Sequence, residues 1–171
     1  MDRSALLDRL EGLEHDLQDD LRRAQRRLRQ SIPSYIRESR PLNLLAVPVI
    51  YSMIVPIVVL DAWITVYQRI CFPLFGIARV TRGEFIVIDR HKLPYLNGIE
   101  KLNCVYCGYA NGVFAYVREV TARTEQYWCP IRHRREPRDP HERYRHFVKY
   151  GDAAAYRRRF QALRDGLKTK R

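Results

Sequence analysis

The sequence predicts a mainly α-helical protein with a small β element, organised around a kinked or re-entrant membrane segment. Three observations predict it. Apolar residues recur at helical spacing over residues 4–31, the window from Leu42 to Tyr67 contains no lysine or arginine, and the charge-dense remainder carries two further helical patterns. On this reading residues 1–41 are an amphipathic helix and basic linker, and 42–78 the membrane-embedded or re-entrant segment. Residues 79–133 form a small cytoplasmic Cys/His domain, and 134–171 a basic linker with a C-terminal helix.

The first helix rests on Leu6, Leu10, Leu13, Leu17, Leu21, Ala24 and Leu28, spaced by fours and threes so that they share one face. Ser4 is placed to cap its start, and Pro33 stops it. Acids come first (Glu11, Glu14, Asp16, Asp19, Asp20), then bases (Arg22, Arg23, Arg26, Arg27, Arg29), an order that suits the helix dipole. Three surfaces fit such a stripe: the protein's own body, another copy or a partner helix in a coiled coil, and lipid. The near-heptad spacing slips by one residue at Leu21, and the face lacks aromatic anchors.

The next 26 residues, Leu42–Tyr67, carry a single charge, Asp61. About 20 apolar residues cross a bilayer as a helix. A soluble core helix of this character would be apolar on every face, more than a chain of 171 residues can cover. Pro48 and Pro56 predict kinks, while Trp63, Tyr67, Gln68 and Arg69 are residues of the membrane–water interface. Both flanks are basic, with Arg37 and Arg40 before and Arg69, Arg79 and Arg82 after. A single span would put one basic flank outside; a hairpin broken near Pro56 or Asp61 keeps both in the cytoplasm, and the sequence favours this arrangement. Asp61 is expected at the polar edge or at the re-entrant turn, because a carboxylate at the bilayer centre costs about 2.5–3.5 kcal/mol. "ICFPLFGI" at 70–77 reads as a second, shallow interfacial segment.

Beyond it, "GEFIVIDR" at 83–90 reads as a strand paired with "IARV" at 77–80. Residues 93–103 read as a short helix or turn, 112–128 as a helix, and 132–146, "RHRREPRDPHERYRH", as a basic linker. A last helix over 152–167 takes Asp152 as its cap and Tyr156, Phe160, Leu163 and Leu167 as its stripe.

The net charge of +12 and pI near 9.9 point to an anionic partner surface, with lipid headgroups, nucleic acid or acidic protein as the classes. The excess is downstream, 22 bases against 10 acids from residue 68 onward. Beside a membrane segment the nearest polyanion is the bilayer, so anionic lipid ranks above nucleic acid. The polar N-terminus has no apolar run with a cleavage site, which predicts a chain whose cysteines live in a reducing compartment.

Cys104-Val-Tyr-Cys107-Gly108 and Cys129-Pro-Ile-Arg-His133 are the pattern with the most chemistry in it. Zinc takes four thiolate or imidazole ligands in a tetrahedron, and a CxxC turn lets two sulfurs chelate one ion. Cys104, Cys107, Cys129 and His133 are therefore the candidate metal ligands, with Cys71 as a substitute for the last. A redox dithiol at Cys104–Cys107 and inert small side chains are the competing readings, and a helical 98–110 would place the pair one turn apart instead of on a knuckle.

"CVYCGY" followed by "WCPIRH" resembles the two metal knuckles of rubredoxin-type iron sites, CxxCGY and CPxCG, over about a dozen residues. Arg132 stands where that pattern has its fourth cysteine. The resemblance implies a metal held by both knuckles; zinc is favoured over iron because no redox partner motif accompanies them. The expected function is a membrane-associated binding or assembly protein with a Cys3His centre, most of the chain facing the cytoplasm. The alternative is a membrane-surface enzyme using a metal or a thiol on a lipid-soluble substrate.

Overall fold

A computed structural model describes residues 3–168, with side chains from Gly12 onward. Among these residues the protein is mainly helical and contains no strand. The helices are α1 (Arg3–Arg27), α2 (Ile32–Glu38), α3 (Pro41–Ser52), α4 (Ile54–Phe75), the short α5 (Arg82–Phe85), α6 (Gly98–Trp128) and α7 (Ala153–Asp165). Single 3-10 turns lie at Arg90–Lys92 and Glu142–His146. Ser4, Leu6 and Leu10 have side chains outside those described. The chain divides into two compact units, Met1–Tyr51 with Ile88–Gly108, and Ser52–Val87 with Tyr109–Arg171.

In the first unit, α2 starts where Ser31 Oγ accepts the Ser34 amide, with Pro33 in the first turn, where its missing N–H has no intrahelical partner to lose. Asn97 and Glu100 make a reciprocal cap at the start of α6. Asn97 Oδ1 accepts the Glu100 amide at 3.0 Å, and Glu100 Oε2 accepts the Asn97 amide at 2.8 Å. The end of α3 is tied to α6 by Tyr51, whose hydroxyl donates to Asn103 Oδ1 at 2.6 Å, and by Tyr106, whose hydroxyl donates to the Ile50 carbonyl at 2.8 Å. The two rings meet edge to face.

In the second unit, one core gathers Ile64 and Phe72 of α4, Tyr116 and Val120 of α6, and Ile77, Val80 and Leu167. A smaller one joins Ile57 to Ala110 and Val113. The α4 helix ends on Gly76, whose φ of +68° is the left-handed conformation that glycine adopts without a Cβ penalty. Gly112 answers a different need. A Cβ there would lie 2.8 Å from Ile86 Cα and from the Phe85 carbonyl oxygen, so only glycine lets this connection cross α6.

Four expectations are corrected. The strand at 83–90 does not form: Arg82–Phe85 is a helical turn that directs Arg82 towards α4, and Ile77–Ala78 pairs instead with the chain's end, Ala78 N–H donating to the Leu167 carbonyl at 2.9 Å. The apolar run is interrupted at Met53, three residues before Pro56, and continues as helix through Asp61. Pro56 falls in the first turn of α4, where its absent N–H is harmless, whereas its ring would collide with the residue-52 carbonyl if the preceding helix continued. Residues 70–75 continue α4 in place of a separate shallow segment. The helix expected from residue 112 starts at Gly98, so the CxxC pair is helical.

Candidate functional site

Pro41–Phe75 is long and apolar enough to cross a membrane, with 6% of its most apolar window buried. Within it α4 has two distinct faces. Ile57, Asp61, Ile64, Gln68 and Phe72, three or four residues apart, are buried, while Val55, Val59, Trp63, Ile70 and Leu74 are exposed. The buried seam is unexpectedly polar. Asp61, 6% exposed, accepts Arg82 Nε at 2.9 Å on one oxygen and Arg82 Nη2 at 2.6 Å on the other. Tyr109 donates to that second oxygen at 2.8 Å. The paired donors of the guanidinium match the carboxylate, the geometry in which such pairs are strongest. Burial, then the hydrogen bond to Asp61, raises the Tyr109 phenol above its ordinary range, so it serves as a neutral donor at pH 7.

Two turns on, Gln68 closes the seam. Its Oε1 accepts the Val80 amide at 2.9 Å and its Nε2 donates to the Val80 carbonyl at 3.1 Å and to the Tyr116 hydroxyl. A side-chain amide thus satisfies both backbone groups of a buried residue in a connection that has no strand partner. Tyr67 extends the polar contacts to Thr124 at 3.0 Å.

The C-terminal half of α6 carries a second polar network. Glu119 accepts Arg123 Nε and Arg143 Nη2, both at 2.7 Å, and Arg143 also donates to Gln126 Oε1 at 3.1 Å. Burial pushes the Glu119 carboxyl up, but the hydrogen bonds from Arg143 and Arg123 outweigh it, and the net displacement is downward. His141 Nε2 pairs with Glu125 Oε2 at 2.9 Å, and Arg118 pairs with Asp139 at 3.2 Å. Arg118, Glu119, Asp139, His141 and Arg143 border an open cleft of about 810 Å³ that also touches Phe85, Arg145 and His146. The expected linker at 132–146 is pinned at its two ends: Tyr144 and the following Phe147 are buried, and Tyr144 Oη accepts the His133 amide at 2.7 Å.

The four candidate ligands fall on different parts of the chain. Cys104 and Cys107 lie on successive turns of α6 in the first unit, half-buried and exposed respectively. Cys129 is exposed just past the last residue of α6, its amide still donating to the Glu125 carbonyl at 2.7 Å, and the His133 ring stacks on Tyr144. Residues 108–128 between the pairs are helical throughout. Among the described residues no three His, Cys, Asp or Glu side chains stand together as metal ligands. None of the four cysteines, Cys71 included, is fully buried, which is not the setting of an inert core thiol.

Asp61 stands out in the sequence as the lone charge of an apolar run, but Arg82, Tyr109 and Gln68 carried no such signal. Their partners lie 12 to 48 residues away. Comparison with protein-family models, curated proteins and solved structures returned no match.

Proposed function

We propose that this chain is a membrane-associated binding or assembly protein, held to the bilayer by Pro41–Phe75. The observation that carries this reading is the uncovered apolar surface of that run: 6% of its most apolar 18-residue window is buried, α3 has no buried residue, and α4 covers one face only. Water-exposed apolar area on this scale marks a surface that meets lipid or another protein. The one-sided packing of α4 supports a kinked arrangement in which the stretch from Asp61 to Phe75 offers lipid only its Trp63–Ile70–Leu74 face. The basic flanks, Arg37 and Arg40 on one side and Arg69 and Arg79 on the other, then meet anionic headgroups from the cytoplasmic side, each base near the surface adding roughly 1 kcal/mol.

Washing membranes with alkaline carbonate tests the anchor. The chain should stay with the pellet; quantitative release would defeat the reading. Reporter fusions at both ends test the orientation, and opposite compartments would replace the kinked arrangement with a single span.

A Cys3His centre of Cys104, Cys107, Cys129 and His133 holding zinc is carried by the spacing of the sequence alone, since these side chains do not stand together as ligands among the described residues, and it requires the two pairs to be brought together. Metal analysis of the detergent-purified protein before and after Cys104→Ser tests it. The alternative, a metal- or thiol-dependent enzyme at the membrane surface, predicts one cysteine that alkylates much faster than the rest.

A further inference from the structure

From Gly12 onward the apolar face of α1 is uncovered. From Gly12 to Leu28 every side chain is exposed except for partial cover at Asp19 and Gln25. Leu13 is 66% exposed, Leu17 61%, Leu21 53% and Leu28, in the turn that follows the helix, 78%. With Ala24 these residues form one continuous stripe, and a leucine stripe in water is an unfilled contact surface.

Charge decides what fills it. Glu14, Asp16, Asp19 and Asp20 occupy the first half of this stretch with no arginine or lysine among them, and Arg22, Arg23, Arg26, Arg27 and Arg29 occupy the second with no acid. Among the described residues the arginine–aspartate pairs within α1, Arg22–Asp19 and Arg23–Asp20, cluster at the boundary and are exposed. We propose that α1 binds α1 of a second copy of this chain, antiparallel, about a two-fold axis near Leu21.

In that register Leu13 packs on Leu28 of the other copy and Leu17 on Ala24, with Leu21 meeting itself at the axis. Ala24 is small where Leu17 is large, so the layers interdigitate. Asp16, Asp20, Arg23 and Arg27 line one flank of the stripe. Antiparallel pairing sets like flanks together, which brings Asp16 opposite Arg27 and Asp20 opposite Arg23, twice each by symmetry. Parallel pairing would set acidic half beside acidic half and basic beside basic, which is repulsive. The slip at Leu21 fits as well. Leu13 to Ala24 is eleven residues in three turns, 3.67 per turn, so two nearly straight helices keep their seams in contact without left-handed supercoiling. This pairing does not depend on the membrane reading.

Its test is the molar mass of the full chain in detergent, measured by light scattering. Two variants are made: an acidic one, Arg23→Glu with Arg27→Glu, and a basic one, Asp16→Arg with Asp20→Arg. The unaltered chain should be a dimer. Each variant alone should dissociate at least tenfold more readily, and an equimolar mixture should restore the dimer. A monomer at about 100 µM, variants that dimerise as well as the parent, or a mixture that stays monomeric would each overturn the proposal. Leu17→Glu separates the remaining cases. If the parent dimer survives this change, the contact lies elsewhere on the chain; if the parent is monomeric and Leu17→Glu instead abolishes binding to anionic vesicles, the stripe's occupant is lipid. Either result rejects the helix pair.

Discussion

Arg82 and Asp61, separated by 21 positions in the chain, form a two-point ion pair in which the carboxylate is buried and the guanidinium is about half exposed. The asymmetry sets the consequence of breaking it. Arg82→Ala strands a charge inside the second unit and should destabilise the protein by about 2–3 kcal/mol. Exchanging both partners, Asp61→Leu with Arg82→Leu, should cost clearly less, because a buried ion pair barely recovers its own desolvation. Tyr109→Phe should cost about 1 kcal/mol. Thermal unfolding in one detergent ranks the three; a double variant less stable than Arg82→Ala would refute the account.

Glu119 predicts the pH response. Its carboxyl ionises below the ordinary range of about 4.3 because Arg143 and Arg123 favour the charged form more than burial disfavours it. A depressed folded-state value stabilises above the unfolded value, and that contribution is lost as pH falls through the folded one. Acid unfolding curves of the parent and Glu119→Gln should therefore be separated near neutrality and converge below about pH 4.3. Curves that stay parallel into strong acid would remove Glu119 from the explanation.

Two glycines should respond in opposite directions. Gly112→Ala places a methyl 2.8 Å from backbone atoms that have no rotamer to retreat into, and should destabilise by about 1–3 kcal/mol. Gly12→Ala meets nothing within 4 Å in an exposed helix and should stabilise α1 by about 0.5–1 kcal/mol. Thermal melts read the first change and amide exchange in α1 reads the second. A neutral Gly112→Ala would mean that the Phe85–Ile86 connection can move away.

Much of the helical architecture is legible in the sequence because it depends on local pattern. The stripe from Leu13 to Leu28 marks α1, Asp152 caps α7 where expected by accepting the Ala155 amide at 2.8 Å, and the absence of bases from Leu42 to Tyr67 marks the apolar run. Periodicity and capping need only neighbours within a turn or two. The expected strand at 83–90 fails for the same reason: β-branched residues there satisfy a local preference, while Arg82 opens a helical turn and pairs with Asp61, buried on another helix.

By itself, then, the sequence determined that α1, α7 and the apolar run exist and where they lie, and the acid-to-base order of α1, since composition and spacing specify these directly. Tertiary structure alone decided that Asp61 is a paired, buried group in an unbroken helix, that Gln68 supplies the partners of Val80, that Arg143 returns to Glu119, and that Cys104 and Cys107 stand on a helix instead of a knuckle. The physical reason is common to all four. A buried charge or orphaned amide must be satisfied wherever in the chain a partner can be found, and a CxxC takes the conformation of the helix that passes through it.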